Sequence, residues 1–157
     1  MIQIADDMLT DESIAIGQLE DSFGFLIRMT QVQVFEAFFN AVGHHDFKPG
    51  EFSVLWIISL NPEVRQGEIA QRLSIKPAHM TKVVQRLEGR GLIERRIPDN
   101  DRRSVRLNLT KAGQDFVAQN KKAYFTYYEN NGRLSANEMD SLTKLLQKYI
   151  GLKKGYS

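Results

Sequence analysis

No cysteine occurs among the 157 residues, which rules out disulfides, thiol nucleophiles, Cys-ligated zinc and peroxide sensing through thiol oxidation. Long hydrophobic runs are missing as well. The most apolar stretch, Phe52 to Leu60, is far shorter than the ~20 residues a membrane-spanning helix needs. The N-terminal region carries Asp6, Asp7, Asp11 and Glu12 where an export signal needs a positive segment followed by an apolar one. A soluble, cytoplasmic protein with no membrane partner is expected. Histidine is limited to three residues, no Ser-His-Asp grouping is identifiable and no Gly-rich phosphate loop appears. A non-enzymatic role follows, with no catalytic residue and no cofactor. His44, His45 and Asp46 are of metal-ligand type, but adjacent residues of one loop rarely complete a site, so no metal is assigned.

The remaining composition is that of an ordinary globular chain, 42% hydrophobic and 25% charged, long enough to bury a core as a single domain over residues 1–157. The net charge of +2 conceals a separation along the chain. Residues 1–64 hold two Lys/Arg against ten Asp/Glu, whereas residues 65–106 hold eleven against five. A basic surplus in the middle of the chain is where a polyanion would bind, although a solvated basic face would look the same.

Apolar residues recur at helical spacing from about Gln18 to Val42, spread over an arc broad enough for more than one neighbour. Pro49 suits the first turn of a second helix, which Asn61-Pro62 stops. A short helix from about Gln66 to Leu73 leads through Ser74-Ile75-Lys76 to a fourth helix, Pro77 to about Arg90. In this fourth helix Met80, Val83, Val84 and Leu87 share one face. Leu92 to Ile97 and Val105 to Leu109 read as two strands flanking a polar loop, forming a two-stranded wing. Thr110 suits the cap of a fifth helix reaching about Asn130. Ser135 with Glu138 predicts a capping box for a sixth, with the stripe Met139, Leu142, Leu145, Leu146, Tyr149 and Ile150. The fold class is mainly α with a small β-wing.

Two short helices joined by a tight turn, the second packed on one face and polar on the other, form the unit that inserts its second helix into the major groove. The exposed residue types match base edges: Gln85 suits adenine, Arg86 or Lys82 guanine, and Thr81 a thymine methyl. Lys76 beside the positive N-terminal end of this helix is unfavourable unless an anion is shared there, and a DNA phosphate supplies one. On the hairpin, Arg102 and Arg103 form a tip suited to the minor groove, with Asp101 able to hold one guanidinium. Arg95, Arg96 and Arg106 suit phosphates or ion pairs.

The run QGEIAQRLSIKPAHMTKVVQRLEGRGLIERRIPDNDRRSVRLNLTKAGQDF resembles the winged helix-turn-helix of the MarR family of bacterial transcription regulators. Its marks here are Asp101, Arg102 and Arg103, followed by Leu109, Thr110 and Gly113. The motif covers about a third of the chain, and the order of six helices extends the likeness. The resemblance implies a winged helix-turn-helix over about 48–109, with dimerisation helices over about 18–43 and 110–150. It further implies a homodimer on a pseudo-palindromic operator in double-stranded DNA, a recognition helix at 77–90 and a wing at 98–104. DNA-contact candidates are Arg65, Lys76, Pro77, Ala78, His79, Thr81, Lys82, Gln85, Arg86, Arg95, Asp101, Arg102 and Arg103. Arg103 is the implied minor-groove probe, Arg102 a phosphate contact and Asp101 the partner of Arg103. Many members bind small aromatic or anionic effectors, and here Arg28, Phe47, Trp56 and Phe116 are the candidate cleft residues. Two positions depart from the pattern: Arg65 stands where Thr or Ser usually caps the positioning helix, and Ile97-Pro98-Asp99 stands where Asp-Pro is commoner. The expected function is a ligand-responsive repressor. An effector-independent architectural DNA binder and a winged-helix protein-interaction module remain open alternatives.

Overall fold

The computed structural model describes residues 14–42, 47–98, 104–126 and 133–152. Six α-helices and a small sheet occupy them: α1 (Phe23–Val42), α2 (Pro49–Leu60), β1 (Val64–Arg65), α3 (Gln66–Arg72), α4 (Pro77–Gly89), β2 (Ile93–Arg96), β3 (Arg106–Leu109), α5 (Lys111–Thr126) and α6 (Ala136–Tyr149). Local chemistry sets most of the boundaries. Pro49 opens α2, and the Lys48 amide donates to the Glu51 carboxylate at 2.9 Å. Pro77 opens α4 after a turn in which Ser74 adopts φ +53°. The Thr110 hydroxyl accepts the Gly113 amide at 3.1 Å to start α5. At α6 the predicted capping box forms in both directions, Ser135 amide to Glu138 carboxylate at 2.8 Å and Glu138 amide to Ser135 hydroxyl at 3.4 Å.

Two features differ from the sequence reading. The N-terminal helix is not continuous from Gln18: a 3-10 turn spans Gly17–Asp21, and Ser22 is extended. The Ser22 carbonyl then accepts the Leu26 amide at 2.9 Å, so α1 starts there, as suits a residue type that favours helix N-termini. The wing is three-stranded rather than two-stranded, in the order β1-β3-β2. Both neighbours of β3 are antiparallel to it, with Val64 opposite Leu107 and Arg95 opposite Leu107 on the other side. A strand of two residues is too short to show period-two alternation, and pairing with β3 is what makes it a strand.

The core runs between α1, α2, α3, α4, α5 and the sheet. Phe38, Phe47, Phe52, Leu55, Ile58, Ile69, Met80, Leu87 and Leu107 are fully buried in it. The face of α4 expected to pack does so, with Met80, Val83, Val84 and Leu87 buried. The broad arc of α1 splits in two. Phe38 and Val42 enter the core, whereas Phe23, Leu26 and Ile27 are exposed. Leu145 and Tyr149 of α6, and Ile150 just after it, are also exposed, and the Phe23 and Tyr149 rings meet at 4.9 Å. One apolar face thus extends across α1 and α6.

Candidate nucleic-acid interface

Helix α4 stands on the core through its buried face and leaves His79, Thr81, Lys82 and Gln85 exposed on the other. Its N-terminal end carries exposed Lys76, Pro77 and Ala78, with no acidic residue in the first turn. The preceding helices also follow basic residues, Lys48 and Arg65, but each receives a glutamate three residues on, Glu51 and Glu68. Of the three helices that follow a basic residue, α4 is thus the one with no acidic residue in its first turn, a lack it shares with α1 and α5, and its N-terminal end faces outward. Arg65 makes no side-chain cap; its amide donates to the Glu68 carboxylate at 3.0 Å and its side chain remains exposed.

The third strand has an electrostatic consequence. Arg65 lies opposite Arg106, and Arg106 lies opposite Arg96. Residues directly opposite in an antiparallel ladder project to the same face, so three arginines stand abreast there. Like charges so placed repel, and Glu63 is the nearby compensation. Its carboxylate pairs with Arg96 at 3.4 Å, and its backbone carbonyl accepts Arg106 Nη1 at 3.1 Å. Glu63 itself holds φ +62°, fixed by Asn108, whose side-chain oxygen accepts the Glu63 amide at 2.9 Å and whose amide nitrogen donates to the Glu63 carboxylate. This network ties the root of the wing to the loop after α2.

Several basic candidates are engaged inside the protein. Arg86 Nε lies 3.2 Å from Glu51 Oε1; the carboxylate is 4% exposed and the guanidinium side chain 37%. One turn on, the Arg90 guanidinium sits 5.0 Å from the centroid of the buried Phe47 ring. Both contacts tie the C-terminal half of α4 to the start of α2. Arg95 pairs with Glu88 of α4, with its Nε donating at 2.9 Å. That bond raises its pKa above the ordinary arginine value, against an opposing effect of burial and with a lesser contribution from the carboxylate charge. The partners Glu51, Glu63 and Glu88 were not legible in the sequence, because each pair joins residues on different elements. Asp101, Arg102 and Arg103 lie outside the described residues, as do His44, His45 and Asp46. Among the described residues no group of three metal-ligating side chains occurs, and no helix is long and apolar enough to cross a membrane.

The four cleft candidates separate. Phe47 is fully buried and meets Phe116 of α5, with ring centroids 4.8 Å apart. Trp56, half-buried, packs edge-on against Phe125 at 5.0 Å and carries the Lys121 ammonium 5.2 Å above its ring. Arg28 is exposed on α1. An aromatic cluster fills the space between α1, α2 and α5: Tyr124 stacks on Phe52 at 4.2 Å, meets Phe38 at 5.8 Å and shares a hydrogen bond with the Ser53 hydroxyl at 2.7 Å. A cavity of about 290 Å³ opens elsewhere, lined by Ile58, Ser59, Pro62, Asn108, Leu109, Gln114, Val117 and Ala118.

Comparison with known proteins places this architecture. A family model described as the MarR family matches residues 47–105. A putative transcriptional regulatory protein for the hcr operon of Thauera aromatica is 29% identical over 134 residues, covering 84% of this chain and 81% of that protein. The homoprotocatechuate degradative operon repressor of Escherichia coli is 25% identical over 135 residues, covering 85% and 91%. Among solved structures, the transcriptional repressor CouR bound to a 23-mer DNA duplex superposes with a TM-score of 0.78 at 33% identity, covering 87% of this chain and 98% of that one. The same repressor bound to p-coumaroyl-CoA gives 0.78 at 31% identity, covering 89% and 99%.

Proposed function

This chain belongs to the MarR family of transcription regulators, and we propose that it is a dimeric, sequence-specific repressor whose hold on its operator is set by a small aromatic or anionic effector. The observation that carries this reading is the outward face of α4. His79, Thr81, Lys82 and Gln85 are exposed there beside a helix N-terminus with no acidic residue in its first turn, and the wing adds a row of three arginines. In this reading α4 lies in the major groove and Lys76, Pro77, Ala78 and Arg65 face phosphates. Lys82 and Gln85 read base edges. Arg102 and Arg103 reach the backbone and the minor groove, with Asp101 holding the latter. Arg86 and Arg95 act by orienting α4 and the wing through Glu51 and Glu88, rather than as base contacts.

Dimerisation buries the apolar face of Phe23, Leu26, Leu145, Tyr149 and Ile150 and sets two copies of α4 on successive turns of a pseudo-palindromic site. The chain works as one unit over residues 1–157, in the cytoplasm, without catalysis or a cofactor. Its effector enters beside half-buried Trp56 and rearranges the aromatic cluster of α1, α2 and α5. The bound states recorded for CouR, DNA in one structure and p-coumaroyl-CoA in the other, support an effector of aromatic character.

Selection from random duplexes, followed by anisotropy titration of the recovered site, tests the reading. A palindromic site is expected, with affinity falling ~10³–10⁵-fold between 50 and 200 mM salt for 6–10 phosphate contacts. A flat salt response with no preferred duplex would overturn it in favour of a protein-interaction module. Aromatic carboxylates and their CoA thioesters are then screened by thermal shift, where a binder raises the melting temperature by mass action. A screen without any binder favours an effector-independent architectural role.

A further inference from the structure

Thr81 is exposed on the reading face of α4, yet its hydroxyl is turned inward. Thr81 Oγ1 donates to the Pro77 carbonyl at 3.1 Å and accepts from the Gln66 side-chain amide at 3.3 Å. A threonine hydroxyl has one proton and two acceptor positions. The proton is committed to α4 itself, and one acceptor position is filled by the first residue of α3. Such an oxygen has no proton to offer the N7, O6 or O4 acceptors that line the major groove. One acceptor position remains, which only the amino donors of adenine or cytosine could use, so toward thymine, with its O4 acceptor and its methyl, the part of Thr81 left to make contact is its γ-methyl. Thymine differs from the other bases by a methyl group projecting into that groove. Thr81 lies in the N-terminal half of α4, the half of a recognition helix that reaches base edges. Gln85, one turn on, is on the same side of the helix.

We propose that Thr81 is a specificity-determining residue that selects thymine at one position of each half-site by methyl-to-methyl contact, with Gln66 acting as a positioning residue that holds the hydroxyl away from the bases. The proposal rests on the reading of α4 as a DNA-recognition helix. It differs from a polar role for Thr81 in a measurable way. Deoxyuridine has the hydrogen-bonding groups of thymidine and no methyl, so exchanging the two removes the apolar contact alone. The variant Thr81→Ser removes the same contact from the protein side while retaining a hydroxyl that can bond to Pro77 and Gln66.

The experiment starts from the duplex recovered by selection, so that a failure of DNA recognition shows itself earlier and separately. Each thymine is replaced symmetrically in both half-sites by deoxyuridine, and the wild-type chain and Thr81→Ser are titrated against the set. At one symmetric position the wild type is expected to lose about fourfold in affinity per half-site, or ~15-fold in all, equivalent to ~0.8 kcal/mol for each methyl buried. Thr81→Ser should bind the thymidine and deoxyuridine duplexes equally at that position and match the wild type at the others, as a double-mutant cycle requires of two groups in direct contact. Its unfolding midpoint, expected to be unchanged, checks that the fold persists. The same deoxyuridine profile for both proteins at every position, whether steep or flat, overturns the proposal.

Discussion

Gly113 offers a test of how rigidly the wing is joined to the long fifth helix. A Cβ at this position would stand 1.9 Å from the Leu92 carbonyl oxygen and 2.9 Å from its carbonyl carbon. Carbon and oxygen in van der Waals contact keep about 3.3 Å or more, so Gly113→Ala must part α5 from the base of β2 by more than 1 Å. The Leu92 carbonyl also accepts the Thr110 amide at 3.1 Å, so separation strains that bond as well. Overpacking of this kind costs about 1–3 kcal/mol, and a weakened hydrogen bond adds roughly 1 kcal/mol. Alanine returns about 1 kcal/mol through its higher helix propensity. The net loss is therefore about 2 kcal/mol, or a fall of roughly 4–8 °C in melting temperature for a chain of this size. Gly67 in α3 is the control, since a Cβ there meets nothing within 4 Å. Gly67→Ala should gain up to ~1 kcal/mol. Both variants are measured by calorimetry at one protein concentration, because dimerisation makes the melting temperature concentration-dependent. A Gly113→Ala protein as stable as the wild type would refute the close approach of α5 to Leu92.

Two further outcomes follow from polar contacts. Glu51→Gln retains an acceptor for the Lys48 amide but removes the charge facing Arg86; with the guanidinium partly exposed, a loss of about 1–2 kcal/mol is expected in urea unfolding, and an unchanged midpoint would show that the pair contributes nothing. The Ser135 hydroxyl and amide lower the pKa of Glu138 below the ordinary glutamate value. A depressed carboxylate stabilises the fold above its unfolded pKa, and that stabilisation disappears as pH falls through the folded value. Ser135→Ala should return the Glu138 titration, followed by NMR, toward the ordinary glutamate value and flatten the acid limb of the stability profile; a titration that does not move would contradict the capping box.

Much of this molecule could be read from local pattern. The helical spacing of Met80, Val83, Val84 and Leu87, the Pro77 start and the Ser135–Glu138 box were all visible, since each relates residues within a few positions of one another. The alternation of Val105, Leu107 and Leu109 marked β3 in the same way. These short-range signals were enough for the order of helices and for the outward face of α4.

What required the folded chain was every relation between distant residues. Nothing in Val64-Arg65 announces a strand until β3 lies beside it, and the row of Arg65, Arg106 and Arg96 exists only through that pairing. Arg86 reads as a base contact in isolation, and Glu51 from α2 holds it. Thr81 suits a thymine methyl by residue type alone, and only the folded chain shows its hydroxyl engaged by Gln66 and Pro77. The physical reason is one of range. Helix periodicity and capping act over a turn, whereas a buried carboxylate or a third strand acts on whatever tertiary packing brings within a few ångströms, whatever the separation along the chain.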